Sequence, residues 1–421
     1  MLEPVTKFRT NKITLDDLKI TGQRVLVRVD FNVPLDDEGR VREFTRIKTA
    51  LPTIHNILDY DGKAILMSHF GRPDGKHVPR FSLKPVAVEL QRLLGKDVKF
   101  AQDCIGPEIE AMTRSLKPGE VLLLENVRFH PGEAIDDPAY AAELAKMGDV
   151  FVNDAFGAAH RKQASVHAIA SCFPGSAAAG RLMMRELRTL GRTLNDPIKP
   201  FIGIVGGVKI SSKIKTVERV LPRVKKMLIG GGMAYTFIKA RGGNIGDSTF
   251  EPDKLSIAEK ILSGPGAEKI ILPIDSIAAK DLAYGSERKT FPSGQIPDGW
   301  RGLDLGRKAR SQYRKEIKKV KTVFWNGPMG YFEREPYASG TRAVARAMVD
   351  LAINGGVSVV GGGDSMAALY KFEFAAPMTH ISTGGGSLLE FIEGKPLPGF
   401  RALSDRVNDI SNGKHTGVKK S

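Results

Sequence analysis

Cysteine is scarce in this sequence: Cys104 and Cys172 are the only two in 421 residues. A single possible bridge cannot staple a chain of this length, so burial must hold the fold and a reducing compartment is expected. No apolar run reaches the length of a bilayer span, and the opening "MLEPVTKFRTNKITLDDL" has no apolar targeting core; the cytoplasm is the expected location. The phosphate loop GxxxxGK followed by Ser or Thr is missing, which removes the main support for a P-loop NTPase. A GxGxxG run followed at the proper offset by an acidic residue is missing too, and that weakens a dinucleotide-dependent oxidoreductase. Aromatic residues make up 7% of the chain, too few to interleave with a basic stripe as nucleic-acid binders do.

Positive charge, by contrast, is abundant: 63 Lys and Arg stand against 47 Asp and Glu, a formal balance of +16. Such an excess fits nucleic acid, a membrane surface or small acidic substrates. The densest basic stretch, "RKARSQYRKEIKKVK" at 307–321, reads most simply as a solvated helix face. With 42% hydrophobic and 26% charged residues the composition is that of an ordinary globular protein, long enough for two domains with full cores.

Short apolar runs alternate with longer amphipathic segments. "RVLVRVDF", "KAILMSHF", "EVLLLENVRF" and "DVFVNDAF" occupy the first part; "FIGIVGG", "KMLIGGG", "KIILPID", "TVFWNGP", "VSVVGGGDS" and "THISTGGG" occupy the second. This rhythm predicts an α/β protein of two doubly wound, parallel-sheet (Rossmann-like) lobes, residues 1–180 and 200–399, joined by a helical hinge over 181–199. Ligands of such sheets bind beyond the carboxyl ends of the strands, so the residues after each run are the ones that carry chemistry.

In the first lobe those positions hold Asp30, Phe31 and Asn32, then His69, Gly71 and Arg72, then Arg128, then His160 and Arg161, with Arg46 at an expected helix start. The planar guanidinium fork matches phosphate and carboxylate bidentately, and four arginines with two histidines at matching strand ends read as an anion cradle. The second lobe places glycine there instead: Gly206-Gly207, Gly230 to Gly232, Gly327, Gly361 to Gly363 and Gly384 to Gly386. Glycine opens the backbone to a large ligand and its phosphates. In "FIGIVGGVKISSKIKTVERVL" (201–221) Lys209 and Lys213 are four apart, on one face if the helix has begun, and read as polyphosphate ligands. Asp364 is the best-placed carboxylate for a Mg²⁺ bridging nucleotide phosphates, and Glu333 for ribose hydroxyls.

"RVDFNVP", "SHFGRP", "LLLENVRF", "VNDAFGAAHR", "GGVKISSKI", "GGGMAYTF", "FWNGPMGYFE", "GGGDS" and "STGGGSLLEFIEGKPLPG", in this order and spacing from about residue 12 to 404, resemble the phosphoglycerate kinases. The resemblance implies reversible phosphoryl transfer between 1,3-bisphosphoglycerate and ADP, giving 3-phosphoglycerate and ATP, with Mg²⁺ as cofactor. It also implies a monomer needing neither nucleic acid nor membrane, and a C-terminal segment (about 400–421) that returns to the first lobe. Carried over by position, it assigns Asp30, Phe31, Asn32, Arg46, His69, Phe70, Gly71, Arg72, Arg128 and Arg161 to the phosphoglycerate. It assigns Lys213, Gly230, Gly231, Gly306, Glu333, Gly362, Gly363, Asp364 and Ser365 to the nucleotide, with Asp364 on the metal. Arg46, Lys209 and Lys213 are then the catalytic cations. Val208 and Ser212 stand where the family usually has Ala and Asp, and "DLGRKA" (304–309) has lost the family's proline, so a looser loop is expected. A tail beyond the family's usual end, "RVNDISNGKHTGVKKS", is expected to be disordered. An NAD-dependent oxidoreductase and a basic nucleic-acid-binding protein are the competing readings.

Overall fold

The computed structural model describes residues 10–283 and 285–406; the tail from Val407 on lies outside the described residues. The chain divides into two compact units, one comprising the sequence up to Arg185 together with Leu397 onward, the other Glu186–Pro396. The division falls inside the helix Arg181–Asn195.

In the first unit β1 (Arg24–Arg28), β2 (Lys63–Met67), β3 (Val98–Phe100), β4 (Val121–Leu123), β5 (Val150–Asn153) and β6 (Ala177–Ala179) form a sheet in the order β3-β4-β2-β1-β5-β6. Every pairing is parallel. Such strands are covered on both faces, which is why they read as continuous apolar runs: Val25, Leu26, Val27, Ile65, Leu66, Leu122 and Val152 are all fully buried. The order reverses between β1 and β5. The C-terminal segment belongs to this unit: Ser404 O accepts from Ile13 N at 3.0 Å, Ala177 O from Ser404 N at 2.9 Å, and Asn153 Nδ2 donates to Gly399 O at 3.0 Å.

The second unit adds β7 (Phe201–Val205), β8 (Lys226–Ile229), β9 (Asn244–Ile245), β10 (Ile270–Ile271), β11 (Asp275–Ala279), β12 (Arg288–Pro292), β13 (Gln295–Ile296), β14 (Arg301–Leu305), β15 (Thr322–Asn326), β16 (Val357–Gly361) and β17 (His380–Ile381). Its main sheet runs β10-β8-β7-β15-β16-β17, parallel throughout, and the order reverses between β7 and β15. An antiparallel sheet β12-β11-β14 stands beside it. The alternation of apolar runs does not announce that small sheet, because β12 is mostly exposed and polar.

The basic stretch forms the helix Arg307–Lys318, which buries Ala309, Tyr313 and Ile317 and exposes most of its cations. The position where the family carries proline is its first residue, Arg307. Asp275 keeps this helix start in order without it, since its carboxylate accepts the N–H of Lys308 at 3.1 Å and of Ala309 at 2.7 Å. That carboxylate is why residue 306 has no side chain: a Cβ there would lie 2.2 Å from Asp275 Cγ.

Two buried carboxyls hold helix starts in the same way. Asp154 Oδ1 accepts from Leu182 N at 2.8 Å and Met183 N at 3.1 Å; Asp304 accepts from Gly340 N with both oxygens, at 3.0 and 2.8 Å. Burial pushes each up to about 7, against the pull of these N–H groups. The folded value of Asp304 exceeds the ordinary 3.8, so the native state keeps a proton that the unfolded chain sheds. The corresponding stability is complete below that ordinary value and is lost as pH rises to about 7. Asp304→Asn cannot ionise. Its stability relative to the parent should therefore climb across this window by on the order of a few kcal/mol, read as the difference of denaturant midpoints at each pH; a constant difference would contradict the assignment.

Candidate functional site

At the β1/β5 reversal, Asp30 lies just beyond β1, and its Oδ1 accepts from Arg46 Nη1 at 2.7 Å and from Asn32 N at 3.3 Å. Arg46 stands in the first turn of the helix Thr45–Asp59. Burial pushes the Asp30 carboxyl up, but the neighbouring cations, Arg46 first, outweigh it and hold the group below the ordinary range.

Arg28 ends β1 wholly buried. Its Nε donates to Ser165 Oγ at 2.8 Å, its Nη1 to the carbonyl of Val29, and its Nη2 to His69 Nδ1 at 3.1 Å. Buried Glu133 is 4.0 Å away and binds Ser165 through the backbone N–H at 2.8 Å and the hydroxyl at 2.7 Å. A guanidinium only donates, so Nδ1 of His69 is the acceptor and the ring proton sits on Nε2. Burial, then the charges of Arg28, Arg128 and Arg46, drive the imidazole well below its ordinary value against the opposing pull of Asp30. His69 is thus a neutral donor at pH 7. Nitrogen-resolved NMR should find the Nε2–H tautomer, with the ring taking up a proton only below the ordinary imidazole range; an imidazolium at pH 7 would contradict the network.

Arg128 completes the cradle, donating to Gly71 O at 2.8 Å and to Gln163 Oε1 at 3.4 Å. Burial, then the charges of Arg28 and Arg161, pull it down to about 10 against the opposing pull of Glu133 and Asp30. Gly71 N donates to Asn32 Oδ1 at 3.0 Å, which ties the loops after β1 and β2 together. Arg161 is exposed, with its Nε on His160 Nε2 at 3.3 Å, and Arg72 is exposed beside Gly71.

Two of the expected contacts are turned inward. The Phe31 ring is fully buried in the core, its N–H on Ser68 Oγ at 2.9 Å. The Phe70 ring is buried edge-on to Phe81, and its backbone is locked by Asn126 at 3.1 and 2.7 Å. Neither aromatic side chain is offered to a ligand; these residues set the loops that carry Asp30 and His69.

In the second unit the β7/β15 reversal is filled by Lys213 and Asn326. Lys213 Nζ donates to Asn326 Oδ1, and Asn326 Nδ2 is buried without a hydrogen-bond partner among the described residues. A Cβ on Gly362 would meet that Asn326 oxygen at 3.2 Å, so the loop after β16 lines the same crevice. Burial pulls the Lys213 ammonium down while Asp364, exposed in the first turn of the helix Gly363–Lys371, pulls it up. The helix has not begun at Lys209, so the condition under which Lys209 and Lys213 would share a face is not met. The helix starts at Ile214 with Lys213 as its cap, so Lys209 stands exposed on the preceding turn.

The glycines act mainly between loops. Gly327 has φ of +100°, and a Cβ on it would lie 2.1 Å from Gly206 O. Gly206 N donates to Asn326 O and Gly207 N to Pro328 O, both at 2.9 Å, while Gly231 N donates to Met329 O at 3.0 Å. Backbone stacked on backbone, and not ligand, occupies the space that side chains at these positions would take. Gly230 is buried against Met329 in the same stack. Gly363 differs: nothing lies within 4 Å of its ideal Cβ, which leaves that helix start open. Ser365 is buried with its hydroxyl accepting from Gly327 N at 2.6 Å. Glu333 is exposed, its carbonyl accepting from Lys371 Nζ at 3.0 Å, and Gly306 sits at the Asp275-held helix start.

The most informative residues passed over by the sequence reading are Arg28 and Asn326. Each had a signal: a charge inside the apolar run "RVLVRV", and an amide ending "TVFWN".

The fold and the two sites define a two-unit α/β protein whose switch-point crevices each carry a cationic group set suited to an anion. A family model described as phosphoglycerate kinase matches residues 15–395. The phosphoglycerate kinase of Chloroflexus aurantiacus is 50% identical over 400 residues, 94% of this chain and 99% of the relative. That of Moorella thermoacetica is 49% identical over 397 residues, covering 94% and 100%. Among solved structures, phosphoglycerate kinase from Coxiella burnetii superposes with a TM-score of 0.81 at 37% identity, covering 93% of this chain and 98% of that one. The chain belongs to the phosphoglycerate kinase family.

Proposed function

We propose that the protein catalyses reversible phosphoryl transfer between 1,3-bisphosphoglycerate and ADP, yielding 3-phosphoglycerate and ATP, with the residues above divided between the two substrates. The observation that carries this reading is the pairing of a guanidinium cluster at the first unit's switch point with the Lys213–Asn326 crevice at the second's. The strand order of the second unit, 3-2-1-4-5-6 when its main-sheet strands are counted along the chain, is shared with dinucleotide binders. Fold alone does not choose the ligand, and the dinucleotide fingerprint is missing.

In this reading Arg46, Arg128 and Arg161 neutralise the phosphate and carboxylate of phosphoglycerate, and the Nε2–H of His69 donates to one of its oxygens. Asp30 and Asn32 hold its hydroxyl. Lys213 and the amides from Gly362 to Ser365 receive the nucleotide phosphates; the orphaned Asn326 Nδ2 is a further donor to that ligand. Asp364 suits Mg²⁺, a hard cation that takes one or two carboxylates along with substrate phosphates and would add charge neutralisation there. A carboxylate attacks or leaves without a proton to move, so no general base is needed. Catalysis is positioning and charge neutralisation of the transferring group by Arg46 and Lys209. Since the two substrates are held on different units, transfer also requires a closure that excludes water.

We place the enzyme in the cytoplasm, as a monomer. Among the described residues no helix is long and apolar enough to cross a membrane. A coupled assay for ATP formation from 1,3-bisphosphoglycerate and ADP tests the function. Turnover dependent on both substrates is expected; a pure preparation that makes no ATP would refute it.

A further inference from the structure

We propose that Asp103, Cys104 and His130, residues assigned to neither substrate, form a binding site in the first unit for a borderline-soft divalent cation of the zinc class. The strands β3 and β4 are parallel neighbours, so the loops leaving their carboxyl ends run side by side. One carries Asp103 and Cys104; the other carries His130, just past the turn Val127–Phe129. Their ligand atoms all lie within 4.8 Å of one another. Among the described residues no other three His, Cys, Asp or Glu side chains converge in this way.

The donors are held in place by their surroundings. His130 Nε2 is 2.6 Å from Asp103 Oδ1, and the same oxygen accepts the Cys104 N–H at 2.6 Å. The imidazole stacks on Tyr140, 5.2 Å between centroids and 24° between planes. Tyr140 Oη in turn donates to Val127 O at 2.9 Å and lies 3.1 Å from Cys104 Sγ. One tyrosine therefore orients both the ring and the sulfur. The thiol is buried, but the Asp103 and His130 side chains remain 49% and 26% exposed, so a cation can approach from solvent along the carboxylate and the imidazole.

A set of one sulfur, one nitrogen and one oxygen suits zinc, which accepts all three and tolerates three protein ligands with water in a fourth position. It does not suit magnesium or calcium, which take oxygen ligands. The site is thus chemically distinct from the Asp364 position proposed for the nucleotide's metal. On binding, the sulfur–metal bond forms as the thiol proton leaves to water. In the neutral ring the hydrogen that Nε2 shares with Asp103 moves through water to Nδ1, which frees Nε2 and the Asp103 oxygen for the metal. No oxidation is involved. The consequence is a clamp between two neighbouring exit loops, which stabilises the first unit.

Titration of the full chain with Co²⁺, followed by absorption, tests this. One ion per chain should bind with a sulfur-to-cobalt charge-transfer band, Zn²⁺ should bleach that band, and Cys172→Ser should retain it. Cys104→Ser should lose the band while keeping phosphotransfer activity when assayed with Mg²⁺ and without added Co²⁺ or Zn²⁺. His130→Gln should weaken cobalt binding by at least the roughly 10- to 100-fold that loss of even an outer-shell partner costs, and should abolish the rise in melting temperature that Zn²⁺ gives the parent. Absence of a thiolate band at saturating Co²⁺, or its persistence in Cys104→Ser, would overturn the proposal.

Discussion

Lys209→Ala is expected to lower kcat by about 100- to 1,000-fold, the scale of removing one preorganised charge from a transferring group, while affinity for 3-phosphoglycerate stays nearly unchanged. The turn that carries Lys209 is fixed at its base, where Gly206 N and Gly207 N bond to Asn326 O and Pro328 O, but the side chain itself is exposed. Its ammonium makes no ion pair among the described residues, whereas Lys213 is anchored on Asn326. A cation left uncommitted beside the crevice proposed for the nucleotide phosphates is available to the charge that develops in the transition state. Removing it should also leave the melting temperature unchanged, since no buried contact is lost. Steady-state kinetics beside calorimetric titration of 3-phosphoglycerate separate the two effects. Normal turnover in the variant would remove the role.

Arg46→Ala should cost kcat a similar factor, about 100- to 1,000-fold, with a second effect that Lys209→Ala lacks. Arg46 is the principal counter-charge of buried Asp30, and truncation leaves that carboxylate in low-dielectric surroundings without its main partner. The Asp30 carboxyl should move up and phosphoglycerate affinity should fall as well. Arg46→Lys should recover affinity better than rate, because an ammonium supplies the charge but not the planar fork. A variant altered in KM alone would make Arg46 a binding residue and no more.

The parallel architecture was legible because a doubly covered strand must be apolar on both faces, and β1, β2, β7, β15 and β16 satisfy that plainly. The small antiparallel sheet was not, since β12 is built from "RKTFP" and has no buried face to betray it. Charged residues just beyond the strands point to the first unit's cradle, but Arg28 is the last residue of β1 itself, within the run "RVLVRV", where an apolar run is read for its average and not for its exception. Its burial is tolerable only because Ser165, His69, the Val29 carbonyl and nearby Glu133 surround it, and three of those four lie at least 41 residues away in the chain. The glycines suggest openings for a ligand; at 206, 231 and 327 the space is taken largely by neighbouring loop backbone and at 230 by Met329, which no single sequence discloses. Phe31 and Phe70 belong to the motifs that carry Asp30 and His69, but an aromatic inside "VDFNV" or "SHFGR" is as suited to the core as to a ligand.

The division of labour between the two units is tested most directly by titrating each ligand separately into Arg128→Ala and Lys213→Ala by calorimetry. Arg128→Ala should weaken 3-phosphoglycerate binding by roughly 10- to 100-fold, the worth of a charged hydrogen bond, and leave Mg-ADP binding unchanged. Lys213→Ala should do the reverse. If either substitution instead weakened the ligand assigned to the other unit, the assignment of one substrate to each crevice would be contradicted.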